Sequence, residues 1–120
     1  MKEYDYDNWY IGGHSLGGAM ASSYCAGHES EFSGLILCAS YPNKEVSIKG
    51  IMLYGSEDPV MNKDKIEEGR RLAPSMEVYE IEGGNHAYFG NYGEQRGDGK
   101  ASITPDEQQE KAVRAILESI

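Results

Sequence analysis

The feature that most constrains this chain is a glycine-rich turn between an apolar run and a run of small residues. The turn is Gly12-Gly13-His14-Ser15-Leu16-Gly17-Gly18, preceded by Trp9-Tyr10-Ile11 and followed by Ala19-Met20-Ala21-Ser22-Ser23. This succession predicts a strand, a sharp turn and a helix. Gly13 and Gly17 flank Ser15 in a G-x-S-x-G pattern, and we expect the strained turn to leave no room for a Cβ atom at either glycine.

The predicted turn would expose the Ser15 hydroxyl above the edge of the sheet. The next backbone N–H, that of Leu16, would lie at the helix N-terminus, where aligned peptide dipoles favour a developing negative charge. Because a serine is a weak nucleophile at its ordinary acidity, it needs a base to take its proton and a carboxylate to orient that base. The pattern alone is a weak signal, so the presence of these two partners decides its meaning.

Candidates for both partners follow predicted strands further along the chain. Apolar Ile51-Met52-Leu53-Tyr54 leads to Asp58, and Val78-Tyr79-Glu80-Ile81 leads to His86. Two alternatives stay open for the acid. Glu57 stands beside Asp58, and Asp58 itself precedes a proline, where aspartate often begins a turn.

Two other histidines compete with His86 for the role of base. His14 lies inside the glycine-rich turn, and His28 follows a predicted helix end, where a cationic side chain favours the helix dipole. We favour His86 because it follows the last predicted strand. The predicted site therefore combines Ser15, Asp58 and His86, in that chain order.

These motifs resemble those of the α/β-hydrolase family, and the resemblance covers nearly the whole chain. It matches Ser15 with the family's nucleophile at the elbow, Asp58 with the acid after the next-to-last strand, and His86 with the histidine after the last strand. Within the family, the chain is similar to small, lidless, esterase-like members related to dienelactone hydrolases. It differs from the dienelactone hydrolases themselves, which carry cysteine at the position of Ser15. The resemblance implies a serine hydrolase that cleaves carboxylic esters or thioesters through an acyl-enzyme on Ser15, with the Leu16 N–H as an oxyanion donor.

The resemblance also implies a partial fold. In family members several strands precede the elbow, whereas only the short polar segment 1–8 precedes it here. We therefore expect a partial α/β-hydrolase fold, with about four mostly parallel strands, flanking helices and the N-terminal strands absent. Residues 1–120 would form a single domain that corresponds to the C-terminal portion of the family fold. The missing half would hold the second oxyanion donor, and losing one such donor costs about 10²–10³ in rate.

Two consequences follow for activity and partners. The main prediction is an enzyme that acts on a small ester, and the alternative is a truncated, non-catalytic fragment that acts through association with another chain. Because the elbow strand would lie at an edge of the sheet, the resemblance implies either a homodimer or pairing with a missing N-terminal half through that strand. The connection over residues 40–49 is too short for a lid, which favours small, soluble substrates.

Composition excludes several other classes of function. The net charge is −9 and the sequence contains no cluster of lysine and arginine, so we expect neither a nucleic-acid partner nor a membrane partner. No transmembrane run or signal peptide is evident, which predicts a cytoplasmic protein. The histidines and cysteines lack metal-ligand spacing, and no cofactor motif is visible. Cys25 and Cys38 are expected as free thiols, with a disulfide as the alternative.

The remaining pattern alternates strands and helices. We predict strands at about 8–13, 34–39, 50–55 and 76–81, and helices at about 15–26 (stopped by Gly27) and 63–73 (capped by Asn62). Thr104, Pro105 and Glu107 mark the start of a closing helix with a capping box. Its predicted buried stripe consists of Ala112, Val113, Ile116, Leu117 and Ile120.

In the loop over 82–103, Tyr88, Phe89 and Tyr92 would either form a wall of an acyl site or pack over the end of the sheet. Arg96-Gly97-Asp98, in the same loop, is a chance match to an adhesion tripeptide.

Overall fold

The computed structural model describes residues 9–59, 61, 63–89 and 98–119. Its strands are β1 (Tyr10–His14), β2 (Gly34–Cys38), β3 (Gly50–Gly55) and β4 (Met76–Ile81), and its helices are α1 (Leu16–Gly27), α2 (Lys63–Leu72) and α3 (Pro105–Ser119). Single 3₁₀ turns, which the sequence did not predict, follow α1 at Glu29–Glu31 and β4 at Ala87–Phe89. Gly27 is the last residue of α1 and not a stop beyond it, and Asn62, the predicted cap of α2, lies outside the described residues.

The strands form one parallel sheet in the order β1-β2-β3-β4. Ile11 pairs with Leu35, Ile36 with Ile51 and Leu53 with Tyr79, so each strand lies beside its neighbour in the sequence. The partial α/β architecture expected from the sequence is confirmed. Among the described residues, β1 pairs with β2 alone and therefore lies at an edge of the sheet.

Helices cover both faces of the sheet and create two separate cores. Leu35 and Leu37 of β2 face the first core, where they pack with Cys25 of α1. The alternating residues of β2, Ile36 and Cys38, face the second core, which contains the alanines of α3. Because strands buried on both faces need apolar residues at successive positions, β2 shows the continuous apolar run that a covered parallel sheet requires.

The two cysteines belong to different cores and are free thiols. Cys25 is buried in the first core, whereas Cys38 packs against the second. Burial raises the pKa of the Cys38 thiol to about 11, and burial followed by the nearby Glu29 carboxylate raises the pKa of Cys25. The sheet separates the two side chains, so the disulfide alternative is wrong.

The predicted start of α3 is confirmed, but its predicted buried stripe is partly wrong. The Glu107 N–H donates to Thr104 Oγ1 at 3.1 Å, and the Thr104 N–H donates to Glu107 Oε1 at 3.2 Å, which completes the capping box. The buried positions are Gln108, Ala112 and Ala115, whereas Val113 is 55% exposed and Leu117 is 64% exposed. Ile116 is half-buried, and Ile120 lies outside the described residues.

The physical reason for this difference is the rotation of α3. Residues 108, 112 and 115 follow the i, i+4, i+7 spacing of one helix face, and two small alanines on that face let the helix lie close to the sheet. Val113 follows Ala112 by one position, which turns its side chain about 100° away from the sheet.

Within the described residues, no helix is long and apolar enough to cross a membrane. The same part of the chain contains no group of three or more histidine, cysteine, aspartate or glutamate residues that could hold a metal ion.

Candidate active site

Ser15 lies at the sharp turn between β1 and α1, in a backbone conformation that side chains rarely adopt. Its φ is 56° and its ψ is −121°. The Ser15 N–H donates to the Cys38 carbonyl at 3.0 Å, which ties the turn to the end of β2. A strained residue between a strand and a helix is typical of a serine that must project from the end of a sheet.

The glycines around Ser15 differ in their steric role from the expectation. A Cβ atom added to Gly13 would lie 2.5 Å from the Gly17 backbone, so this position has no room for a side chain. At Gly17, an added Cβ would meet no atom of the described residues within 4 Å, so the prediction of crowding there is wrong. The second crowded position is Gly18, where an added Cβ would lie 2.6 Å from Ser40 Cβ. The turn therefore needs glycine before the serine and at the point where α1 crosses the β2–β3 connection.

The N-terminus of α1 begins directly after the serine. The first N–H groups of a helix have no carbonyl partner inside the helix, and Leu16 provides the first of them. Among the described residues, the Ser15 side chain makes no capping hydrogen bond to these groups, because its hydroxyl contacts His86 instead. The Leu16 N–H therefore lies beside the Ser15 hydroxyl at the positive end of the helix dipole.

Asp58 follows β3 and is held inside a tight turn. Its side chain is 0% exposed. The Asp58 N–H donates to the Gly55 carbonyl at 3.1 Å, and Asp58 Oδ1 accepts the Met61 N–H at 3.3 Å. The neighbouring Glu57 is exposed and uses its backbone N–H to bind the Gly84 carbonyl at 2.8 Å. Of the two candidate acids, Asp58 is the one directed into the protein.

His86 connects the serine and the acid. Its Nδ1 lies 2.7 Å from Asp58 Oδ2, and its Nε2 lies 2.8 Å from Ser15 Oγ. In the neutral ring, Nδ1–H donates to the carboxylate and Nε2 accepts the serine hydroxyl. The hydrogen bond to Asp58 is the main reason that the pKa of His86 is raised. Burial opposes the increase, and the charges of Asp58 and Asp98 add to it.

A model of the alpha/beta hydrolase family matches residues 1–110. The chain belongs to the α/β-hydrolase family. A search of curated proteins found no match. The parallel sheet of this α/β-hydrolase agrees with the assignment. Ser15, Asp58 and His86 follow β1, β3 and β4, respectively.

Side chains hold the backbone of His86 from both sides, a role that the sequence did not predict for them. The His86 N–H donates to Asp98 Oδ1 at 3.0 Å, and the His86 carbonyl accepts His14 Nε2 at 2.7 Å. Asp98 Oδ2 also accepts the Ala87 N–H at 2.9 Å. His14, considered as a rival base, therefore contacts the backbone of His86. His28, the other rival, bonds through Nδ1 to the carbonyl of Tyr24 within its own segment.

The residue before His86 is held by the core of this α/β-hydrolase. Gln108 is fully buried, and its amide forms two hydrogen bonds to the backbone of Asn85. The Asn85 N–H donates to Gln108 Oε1 at 3.0 Å, and Gln108 Nε2 donates to the Asn85 carbonyl at 2.9 Å. A signal for this role exists in the sequence, because Gln108 is a polar residue in register with the buried alanines of α3. Asp98 offered no such signal.

A cleft of about 370 Å³ opens beside the serine. It is lined by Ser15, Leu16 and Ala19 on one side and by Ala39, Ser40, Tyr41 and Asn43 on the other. Tyr88 and Phe89 are not among these residues. Phe89 packs against the second core, with its ring 5.9 Å from that of His14, which favours packing over the sheet end rather than a wall of the cleft. Tyr92 lies outside the described residues.

Proposed function

We propose that this α/β-hydrolase is a serine hydrolase that cleaves carboxylic esters or thioesters through an acyl-enzyme on Ser15. The observation that carries the proposal is the continuous chain of hydrogen bonds from the Ser15 hydroxyl through the His86 ring to the Asp58 carboxylate, with distances of 2.8 and 2.7 Å. A nucleophile, a base and an orienting carboxylate within hydrogen-bonding distance are the arrangement that acyl transfer to serine requires.

In the first step, Ser15 Oγ forms a bond to the carbonyl carbon of the substrate while its proton passes to His86 Nε2. Asp58 stabilises the resulting imidazolium, and its buried carboxylate fixes the tautomer in which Nδ1 carries a proton. The carbonyl oxygen gains negative charge as the tetrahedral intermediate forms. The Leu16 N–H at the positive end of α1 supports that charge.

In the second step, the bond from carbon to the leaving oxygen or sulfur breaks, and the proton on His86 passes to that atom. The alcohol or thiol departs and leaves the acyl group on Ser15. A water molecule then gives a proton to His86 and attacks the acyl carbon, which releases the carboxylic acid and restores the serine hydroxyl.

A fluorophosphonate probe tests this proposal, because the probe reports an activated serine without requiring the natural substrate. We expect labelling of the purified chain and its loss in Ser15→Ala and in His86→Ala. Ser30→Ala and His28→Ala are matched controls, since both residues are exposed and lie outside the hydrogen-bond chain. A folded chain that is not labelled would refute the proposal, as would labelling that persists in Ser15→Ala.

We propose association with a second copy of this chain as the alternative function. Two observations support it: β1 lies at an edge among the described strands, and α1 exposes an apolar stripe next to that strand. The stripe consists of Leu16, Met20 and Tyr24, which are 73%, 66% and 45% exposed and recur every fourth residue. Light scattering on Met20→Lys and on the original chain tests this alternative. A dimer that dissociates in Met20→Lys supports it, and a monomeric original chain contradicts it.

A further inference from the structure

The cleft beside Ser15 lies on one side of the nucleophile, and its position indicates which part of a substrate it would receive. Its described lining comes from the start of α1 and from the β2–β3 connection, with no contribution from Asp58 or His86. His86 must reach the leaving oxygen or sulfur to protonate it, so the leaving group lies on the histidine side. In the proposed mechanism, the Leu16 N–H supports the developing oxyanion. Besides the leaving group and the oxyanion, the reacting carbon carries one more substituent, the acyl chain. The cleft is the space that is left for this chain.

The lining of the cleft favours an acyl group without charge. None of its described lining residues has a charged side chain, and most of the exposed lining is apolar, with Leu16, Ala19 and Tyr41 as contributors. A carboxylate placed there would lose water without gaining a cationic partner from the described residues, which is unfavourable. The volume of about 370 Å³ lies near the lower end of the ~300–1,000 Å³ range of ligand pockets. A short chain fits such a space better than a long lipid chain.

The walls of the cleft are fixed by specific contacts. Asn43 Oδ1 accepts the Ser23 hydroxyl at 2.8 Å, which ties the β2–β3 connection to α1. Ala39 has a φ of 52°, a conformation that turns the chain sharply after β2, and its N–H donates to the Leu53 carbonyl at 2.7 Å. Gly18 packs against Ser40 so closely that a Cβ atom would not fit. Because these contacts hold both walls in place, the fold itself sets the width of the cleft.

We propose that this cleft is the acyl site of the enzyme and that it selects short, uncharged acyl groups. This inference rests on the proposed function of Ser15. Ala19 determines the depth available to the acyl chain, because it lines the cleft from the first turn of α1.

The test measures kcat/KM for a series of p-nitrophenyl esters that share one leaving group and differ in the acyl chain. We expect an increase of about fourfold per methylene from acetate to butyrate, because burying one CH₂ contributes about 0.8 kcal/mol. We expect the monosuccinate ester to react at least about tenfold more slowly than the pentanoate ester of similar length, because its carboxylate would be desolvated.

Ala19→Leu narrows the cleft and tests its location. We expect the ratio of kcat/KM on the butyrate ester to that on the acetate ester to fall in this variant from about sixteenfold to about one, because the longer acyl chain no longer fits. Val113→Phe is the matched control, because it adds bulk on α3 at a side chain that is 55% exposed and does not line the cleft. Thermal unfolding of both variants checks that they are folded.

The outcomes separate this inference from the proposed function. Labelling of Ser15 by the fluorophosphonate probe together with equal rates across the ester series overturns the acyl site and leaves the serine hydrolase intact. Equal losses on acetate and butyrate in Ala19→Leu also overturn it. The absence of labelling in the folded chain refutes the proposed function, and the acyl site with it.

Discussion

Replacing Asp98 with asparagine tests how the candidate base is held in place. The carboxylate accepts the N–H groups of His86, Ala87 and Gly99 at 3.0, 2.9 and 2.8 Å, respectively. Asp98→Asn keeps one side-chain oxygen but replaces the other with an NH₂ group. That group cannot accept the N–H it would face, and Ala87 is 0% exposed, so water cannot replace the lost partner.

Two effects of the substitution are expected, one on stability and one on the pKa of His86. A hydrogen bond to a charged group contributes about 1.5–3 kcal/mol, so we expect Asp98→Asn to lower the free energy of unfolding by roughly that amount. The negative charge of Asp98 also contributes to the raised pKa of His86. In the proposed mechanism, His86 accepts the serine proton only when its ring is neutral, so labelling of Ser15 should increase as the pH rises through the pKa of His86. Removing the charge of Asp98 should therefore move the midpoint of that increase to lower pH.

Two measurements on each variant check this prediction. Urea unfolding gives the free energy of unfolding, and the rate of fluorophosphonate labelling between pH 5 and pH 9 gives the pH midpoint. Glu77→Gln is the matched control, because it changes an exposed carboxylate of β4 to an amide and should alter stability by less than about 0.5 kcal/mol. An Asp98→Asn variant with the stability and the labelling midpoint of Glu77→Gln would refute the role assigned to Asp98.

Further predictions concern the turn, the backbone of the base and the last helix. His14→Leu removes the donor to the His86 carbonyl and should slow labelling about tenfold, whereas His14→Gln should restore part of the rate through its amide N–H; labelling kinetics measure both. Gly13→Ala should prevent stable folding, whereas Gly17→Ala should keep or increase the melting temperature, because of these two positions the described residues crowd Gly13 alone. Thr104→Ala should lower the free energy of unfolding by about 1 kcal/mol in urea titrations, through loss of the α3 cap. Because the pKa of His86 is raised in the folded state, its protonation stabilises the fold at low pH; this contribution should disappear as the pH rises through the folded-state pKa, and melting temperatures across pH measure it.

Much of the fold could be predicted from the sequence because its signals are local. The continuous apolar run of β2 predicted a covered parallel strand, and Thr104, Pro105 and Glu107 predicted the start of α3. The rotation of α3 could not be predicted with the same certainty. Its sequence offers apolar residues over a wide arc, and the choice of Ala112 and Ala115 over Val113 depends on how closely the helix approaches the sheet.

The candidate site also contains residues that the sequence predicts and residues that it does not. Ser15, Asp58 and His86 each follow a predicted strand, and the parallel order brings the ends of those strands to one edge of the sheet. The residues that hold His86 in place could not be predicted from such a pattern. Asp98 lies in a loop, and its role depends on where that loop returns over the sheet, which no pattern around it encodes.

The crowding predicted at Gly17 was wrong for a further reason. The turn motif indicates which residues flank the serine, but available space depends on the chain that crosses nearby. In this fold, Ser40 of the β2–β3 connection lies against Gly18, whereas no described residue lies close to the Cβ position of Gly17.

The sequence separations within the site determine when it can form during folding. The hydrogen bond between Ser15 and His86 joins residues 71 positions apart, and that between Asp58 and His86 joins residues 28 positions apart. Contacts of such long range require large loops to close, which makes them slow compared with helix formation. The turn at Ser15 can form early from local interactions, but its hydroxyl can contact His86, its proposed base, only after β4 has joined the sheet. Labelling of Ser15 by the fluorophosphonate probe would therefore report the completion of folding. A chain in which β4 has not yet joined the sheet would not be labelled.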